Sequence, residues 1–378
     1  MNIAIIGNPV TNVSSGKFLL KFSKVISKIA QEVYIINDGE IDIENRKIHV
    51  IGTTRFVRKI ESIKRSNLTA LLGFLMAQFG FTIGLVRYTK KVDVVFVFPI
   101  IMFVPVLFAK IMGKKIFLYE AQDIYSEYSK SGLIARLKFF VLWSTRKIVL
   151  DLTDYIIVEG KSIIYQNRIE PYQTKTYVCP QFVDKKYRFT KPYTMRENIV
   201  GFIATLDKRK GAIEFALAVR QILEFCKELH FVIVGKGPLL NEVKSILMDH
   251  VDSDTVQIIE HVPEDSFPEF INELKLCVLP STYEGLPNII LEAMACGTPV
   301  LATPVGAIPD VIKDAETGFI MEDNSPECIA ESVMRVLNYP DLDRIVKNAY
   351  KLIEEEYTYG AAIRRYKNAL ARCKEVRR

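Results

Sequence analysis

The sequence predicts an α/β protein of two doubly wound domains, and three observations predict it. Short apolar runs alternate with longer stretches of helical periodicity, the pattern of parallel strands joined by helices. The apolar runs are continuous Val/Ile/Phe segments rather than alternating ones, as expected of parallel strands buried on both faces. The series occurs twice within 378 residues, a length that favours roughly two to three domains.

In the first half, strands are expected at 3–7, 33–37, 92–98, 115–119 and 155–158, with His49 in a further one. Between 185 and 197 the chain turns charged and aromatic around Pro192 and loses apolar periodicity, which sets the expected boundary between domains 1–190 and 191–356. The second series is expected at 199–204, 231–235, 256–259, 276–280 and 299–303, and 357–378 reads as a basic amphipathic helix.

Composition narrows the function classes. Half the residues are hydrophobic, so large cores are available and general disorder is excluded. The net charge of +6, from 50 bases against 44 acids, permits anionic partners without the concentrated basic face that nucleic acid requires. Six cysteines stand singly, without Cys-x-x-Cys or Cys/His ligand spacing, as reduced residues of a cytoplasmic protein do. The start reads directly as a strand, with no secretory signal. Residues 66–86 carry no charge and reach the ~20 residues that span a bilayer. Asn67, Gln78 and three glycines dilute them. A core helix, a membrane-docking helix and a span stay open, and the flanking Lys59, Lys64, Arg65, Arg87, Lys90 and Lys91 favour docking on anionic lipid over spanning.

The most informative segment is 281–299, STYEGLPNIILEAMACGTP. An apolar strand enters a polar loop holding Glu284 and Gly285. Pro287 suits the first position of a helix, and Gly297 the position just past its end. A second carboxylate, Glu292, lies within the helix. Helix N-termini attract phosphate and carboxylates accept hydrogen bonds from hydroxyls, so the pattern points to a sugar nucleotide. Two glutamates at this spacing alone would be a common helical accident; the full string is specific.

This string resembles the Glu-x7-Glu signature of the retaining GT-B glycosyltransferases of family 4, here Glu284 to Glu292. The resemblance implies two Rossmann-like domains facing a cleft, with the C-terminal helix crossing back to the first domain. It implies transfer of a sugar from a nucleotide-diphosphate sugar to a glycan or lipid-linked acceptor, without metal or other cofactor. Glu284 would contact sugar hydroxyls and Glu292 the ribose, while the amides of Gly285, Leu286, Pro287 and Asn288 line the donor. Lys210, before Gly211, matches a phosphate-binding lysine; the family's arginine falls at Thr205, leaving Lys208 or Arg209 to substitute. Gly235 and Gly237 resemble an element beside the nucleotide, and residues 256–261 would meet the base edge. The loop from Gly7 to Lys17 resembles the family's glycine-rich first loop, with Gly16 approaching the diphosphate and Ser15 as N-cap; a plain strand-to-helix turn is the alternative.

On the acceptor side, Glu120, Gln122, Asp123 and Glu127 match a family stretch in which a histidine precedes the aspartate; here Gln122 stands there. With His49 far from any expected loop, a histidine base or Ser-His-Asp triad is unsupported. Asp123 is then expected to act on the acceptor hydroxyl, with Glu284 and Lys210 as the other catalytic residues. Asp252-Ser-Asp254, Asp151 and Asp154 do not make a metal site. The alternatives are a catalytically silent sugar-nucleotide-binding or assembly subunit, which Thr205 and Gln122 favour, and a GT-B epimerase. The expected location is cytoplasmic, at the inner membrane face if 66–86 dock.

Overall fold

The structure is a computed structural model that describes residues 1–7, 13–37, 45–52, 67–98, 102–120, 133–251 and 255–375, with side chains undescribed at 13–17, 67–75, 77, 133–139, 374 and 375. The chain divides into two compact units. The first comprises residues 1–159, 164–181 and 362–378, and the second 160–163 and 182–361.

The first unit holds a parallel sheet of seven strands in the order β3-β2-β1-β4-β5-β6-β7. These are β1 Ile3–Ile6, β2 Val33–Asn37, β3 Ile48–Gly52, β4 Val94–Val97, β5 Lys115–Glu120, β6 Tyr155–Val158 and β7 Thr176–Val178. Its helices are α1 Val13–Ser27, α2 Asn67–Tyr88, α3 Phe103–Ile111 and α4 Leu133–Leu152, with the short α5 Lys161–Gln166 after β6. β1, β2, β4 and β6 are buried along their whole length, which is why they are written as unbroken apolar runs. The half-buried three-residue β7 is too short and mixed to signal itself in sequence.

The second unit repeats the plan with six parallel strands ordered β10-β9-β8-β11-β12-β13. They are β8 Ile199–Ile203, β9 His230–Val234, β10 Val256–Ile259, β11 Leu276–Leu279, β12 Val300–Ala302 and β13 Phe319–Ile320. Their helices are α6 Ala212–Phe225, α7 Leu240–Ile246, α8 Met248–Val251, α9 Phe267–Glu273, α10 Asn288–Ala295, α11 Ile308–Val311, α12 Pro326–Leu337 and α13 Leu342–Glu356. Phe202, Phe215, Phe231 and Phe319 are fully buried in its core. In both sheets the strand order reverses once, between β1 and β4 and between β8 and β11. The carboxyl ends at such a reversal form the crevice where open α/β sheets bind ligands.

The last helix, α14 Tyr359–Glu375, passes from the second unit into the first. There Tyr366 packs edge-on against Phe22 of α1 and Phe96 of β4, and its hydroxyl donates to the Cys179 carbonyl at 3.3 Å. The break between units falls at 181–182 rather than near 190, for a physical reason. The charged and aromatic stretch that reads as a linker is packed into unit two. Arg196, 4% exposed, donates to the carbonyls of Leu274 and Cys296 at 3.1 and 2.6 Å and to Thr298 Oγ1 at 2.6 Å. Among the described residues no helix is long and apolar enough to cross a membrane.

Candidate active site

Two loops flank the strand-order reversal of the second sheet, one after β8 and one after β11. In the first, Asp207 caps the turn Lys208–Lys210, its Oδ1 accepting from the N–H of Arg209 at 2.9 Å and of Lys210 at 3.2 Å. Arg209 Nη2 also reaches Asp207 Oδ2 at 3.2 Å, leaving that guanidinium largely exposed. The second loop is tied to the first: Thr282 N–H donates to the Arg209 carbonyl at 2.8 Å. Ser281 Oγ donates to Glu284 Oε1 at 2.8 Å, and Lys210 Nζ pairs with the same oxygen. The lysine side chain is 22% exposed and the carboxylate 9%. A cation and a hydrogen-bond acceptor thus sit side by side at the carboxyl edge of the sheet, oriented and only partly hydrated.

Gly285, Leu286 and Pro287 lead from Glu284 into α10. Helical residues begin at Asn288, and Pro287 is the N-cap with φ −65° and ψ 126°, one residue outside the expected helix start. Its ring fixes φ while ψ stays extended, so the helix opens one position later. Glu292 faces the 182–196 segment, where Tyr187 hydrogen-bonds it. Burial first, and then the Glu292 carboxylate, push the Tyr187 hydroxyl pKa up, so this phenol is a permanent donor.

Gly306 braces the site from below. It lies at φ +60°, and a Cβ there would stand 2.2 Å from the Glu284 carbonyl oxygen and 2.4 Å from that of Gly285. Ala307 N–H donates to the Gly285 carbonyl at 2.8 Å. Gly306→Ala is expected to lower the melting temperature and to displace the 284–285 backbone, since left-handed geometry alone costs roughly 1–2 kcal/mol before the clash. Gly52→Ala, with nothing within 4 Å of the added Cβ, is the control; equal melting temperatures for the two variants would contradict the bracing role.

Of the residues expected from sequence, the structure brings Lys210, Arg209, Glu284, Gly285, Leu286, Pro287, Asn288 and Glu292 onto these two loops and α10. Gly237 differs in what it approaches: a Cβ would stand 2.2 Å from the Leu206 carbonyl oxygen. Gly235 likewise abuts Ala204. Both let the β9 loop pack on the chain's own 204–206 backbone, which holds the first loop in place.

Two expectations in the first unit are corrected. Glu120 is 1% exposed; its Oε1 accepts from Arg146 Nη2 at 2.9 Å and Asn167 Nδ2 at 3.2 Å. It is a buried structural anion rather than an acceptor ligand. Ser15 and Gly16 fall inside the first turn of α1, which begins at Val13, so Ser15 is not the N-cap. Gln122, Asp123 and Glu127, like Asp252 and Asp254, lie outside the described residues. Asp151 accepts from the Tyr172 hydroxyl at 2.7 Å, and Asp154 pairs with Lys110 and Lys115. Sequence reasoning missed Asp207, Gly306, Tyr187 and Arg196. The Asp-x-x-Lys turn was the one legible signal among them, since Asp side chains bond the backbone two residues on.

Comparisons with known proteins agree with the fold. Residues 183–352 match the family model described as glycosyl transferases group 1. The alpha-D-kanosaminyltransferase of Streptomyces kanamyceticus is 29% identical over 165 residues, 43% of this chain and 43% of that protein. The capsular polysaccharide biosynthesis glycosyltransferase CapM of Staphylococcus aureus is 26% identical over 42% of each. The chain thus aligns with under half the length of these relatives. Among solved structures, sucrose-phosphate synthase from Thermosynechococcus elongatus superposes with a TM-score of 0.79 at 16% identity, covering 100% of both chains. Anabaena HepE in complex with UDP-glucose gives 0.74 at 14% identity, over 98% of this chain and 99% of that one. The class defined by fold and site is GT-B: two Rossmann-like α/β domains. Within that class, residues 183–352 carry a glycosyl transferases group 1 domain.

Proposed function

We propose that this chain is a retaining, metal-independent glycosyltransferase that moves a hexose-type sugar from a nucleotide-diphosphate sugar to a glycan or lipid-linked acceptor. The observation that carries the reading is the Lys210–Glu284–Ser281 constellation at the strand-order reversal, beside a helix N-terminus and with Glu292 one turn inside. The Lys210 ammonium and the amides at the start of α10 meet the donor phosphates, and Glu284 receives the sugar hydroxyls. Glu292, oriented by Tyr187, receives the ribose. By resemblance alone, Gly16 is assigned to the donor diphosphate, and Gln122, Asp123 and Glu127 to the acceptor.

Same-face attack with the leaving phosphate taking the acceptor proton needs positioning and charge stabilisation more than a strong base. This suits a chain with Gln122 where the family pattern it resembles has histidine. A UDP-glucose complex of HepE and the capsular polysaccharide biosynthesis in the name of CapM support a sugar-nucleotide donor and a polysaccharide-type acceptor. A panel of nucleotide sugars read by thermal shift tests donor binding, because a ligand stabilises by RT ln(1 + [L]/Kd); no shift with any of them would sink the reading. Since Lys210, Arg209 and the α10 N-terminus supply the positive potential, EDTA is expected to leave turnover nearly unchanged. Loss on chelation, restored by Mg²⁺ or Mn²⁺, would refute metal independence.

A further inference from the structure

We propose that the outer side of the α2–α3–α4 layer docks on an anionic lipid bilayer. This goes beyond the donor chemistry and does not depend on it. The three helices follow β3, β4 and β5 in crossovers that run in one direction along the sheet, so right-handed connection puts them on one face. They also pack side by side, α2 on α3 and α3 on α4. Their inner sides are core: Phe81, Leu85 and Val106 are fully buried, and Gln78 Oε1 accepts from the Val104 N–H at 2.9 Å.

Their outer sides are apolar where solvent-facing helices are normally charged. On α2, Phe79 and Ile83 are 55% and 56% exposed; Ile111 at the end of α3 is 73% exposed. Phe140, 60% exposed, and Trp143, 42% exposed, continue the surface on α4. Large apolar side chains exposed on three helices packed side by side mark an interaction site. The sequence confined the docking segment to 66–86; the structure spreads it over three helices.

Charge selects the occupant. α2 and α3 contain no acidic residue and α4 only Asp151, whose Oδ1 already accepts from Tyr172. Arg87, Lys90, Lys91 and Lys147 lie exposed on or beside the same helices, with Lys147 over the Trp143 ring at 5.9 Å; Lys110, also exposed, is paired with Asp154. Exposed apolar chains, an interfacial tryptophan and a basic rim are the composition of a surface that lies in the headgroup region of an acidic membrane. A second copy of this chain fits poorly, because a self-complementary contact would oppose like-charged rims.

Trp143 is the only tryptophan of the chain and reports on the patch directly. With phosphatidylglycerol vesicles at low salt, the full chain is expected to cosediment and its tryptophan emission to move to shorter wavelength, with neither effect on phosphatidylcholine. Added salt should reverse binding. Lys91→Ala should weaken partitioning roughly five-fold, the equivalent of ~1 kcal/mol per basic residue. The double variant Ile83→Asp, Ile111→Asp should abolish it while leaving the melting temperature unchanged, both positions being more than half exposed. Absence of cosedimentation at low salt would overturn the proposal. So would a tryptophan shift that grows with protein concentration without lipid, alongside a dimer in size exclusion, which would name a second copy as the occupant.

Discussion

Lys210→Ala will lower kcat/KM for the nucleotide sugar by about 3 kcal/mol, on the order of a hundred-fold. That is the upper range for a hydrogen bond to a charged group, and the upper end applies for two reasons. The ammonium is placed by a capped turn and by a carboxylate that is mostly shielded from water, so its contacts with phosphate are preorganised. Its removal also leaves the Glu284 carboxylate, still hydrogen-bonded by Ser281, as an unneutralised charge where the anionic donor must approach. Lys210→Arg should recover only part of the loss, because the planar fork cannot reproduce a point charge on a short reach. Steady-state kinetics decide it: an unchanged kcat/KM in the folded variant would remove Lys210 from the donor site.

Glu292→Ala is expected to cost about 2–3 kcal/mol of donor affinity, a loss of roughly 30- to 150-fold. A carboxylate accepting from two ribose hydroxyls has no substitute on α10, and the neighbouring Tyr187 hydroxyl would lose its acceptor in a buried setting. Titration calorimetry with the matching nucleoside diphosphate reads this without turnover. If Glu292 serves only to satisfy Tyr187, the variant will melt lower but bind with unchanged affinity, and the ribose assignment fails.

Much of the fold was legible because buried parallel strands are written as unbroken apolar runs. The segment from β11 through α10 was legible because its loop, proline, two glutamates and terminal glycine each have a local physical reason. What escaped the sequence depends on partners far along the chain. Glu120 reads as one of several acids in a loop, yet Arg146 and Asn167 enclose it from 26 and 47 residues away. Arg196 reads as linker charge, whereas three of its acceptors lie 78 to 102 residues on. β13, with two residues, is too brief for any periodicity to register. Gly306 reads as an ordinary turn glycine until the carbonyls of Glu284 and Gly285 are seen to fill the space a Cβ would take.

The central claim is that the second unit holds a nucleotide sugar for transfer and not merely for binding. The most direct measurement incubates the full chain with each nucleotide-diphosphate sugar and an envelope lipid and glycan fraction, and follows released nucleoside diphosphate together with the anomeric configuration of the product by NMR. The account predicts that one donor is consumed, with one diphosphate released per sugar transferred and the donor's configuration kept, and that Lys210→Ala and Glu292→Ala suppress the release. Tight binding of a nucleotide sugar with no release from any donor would contradict it and identify the chain as a sugar-nucleotide-binding subunit.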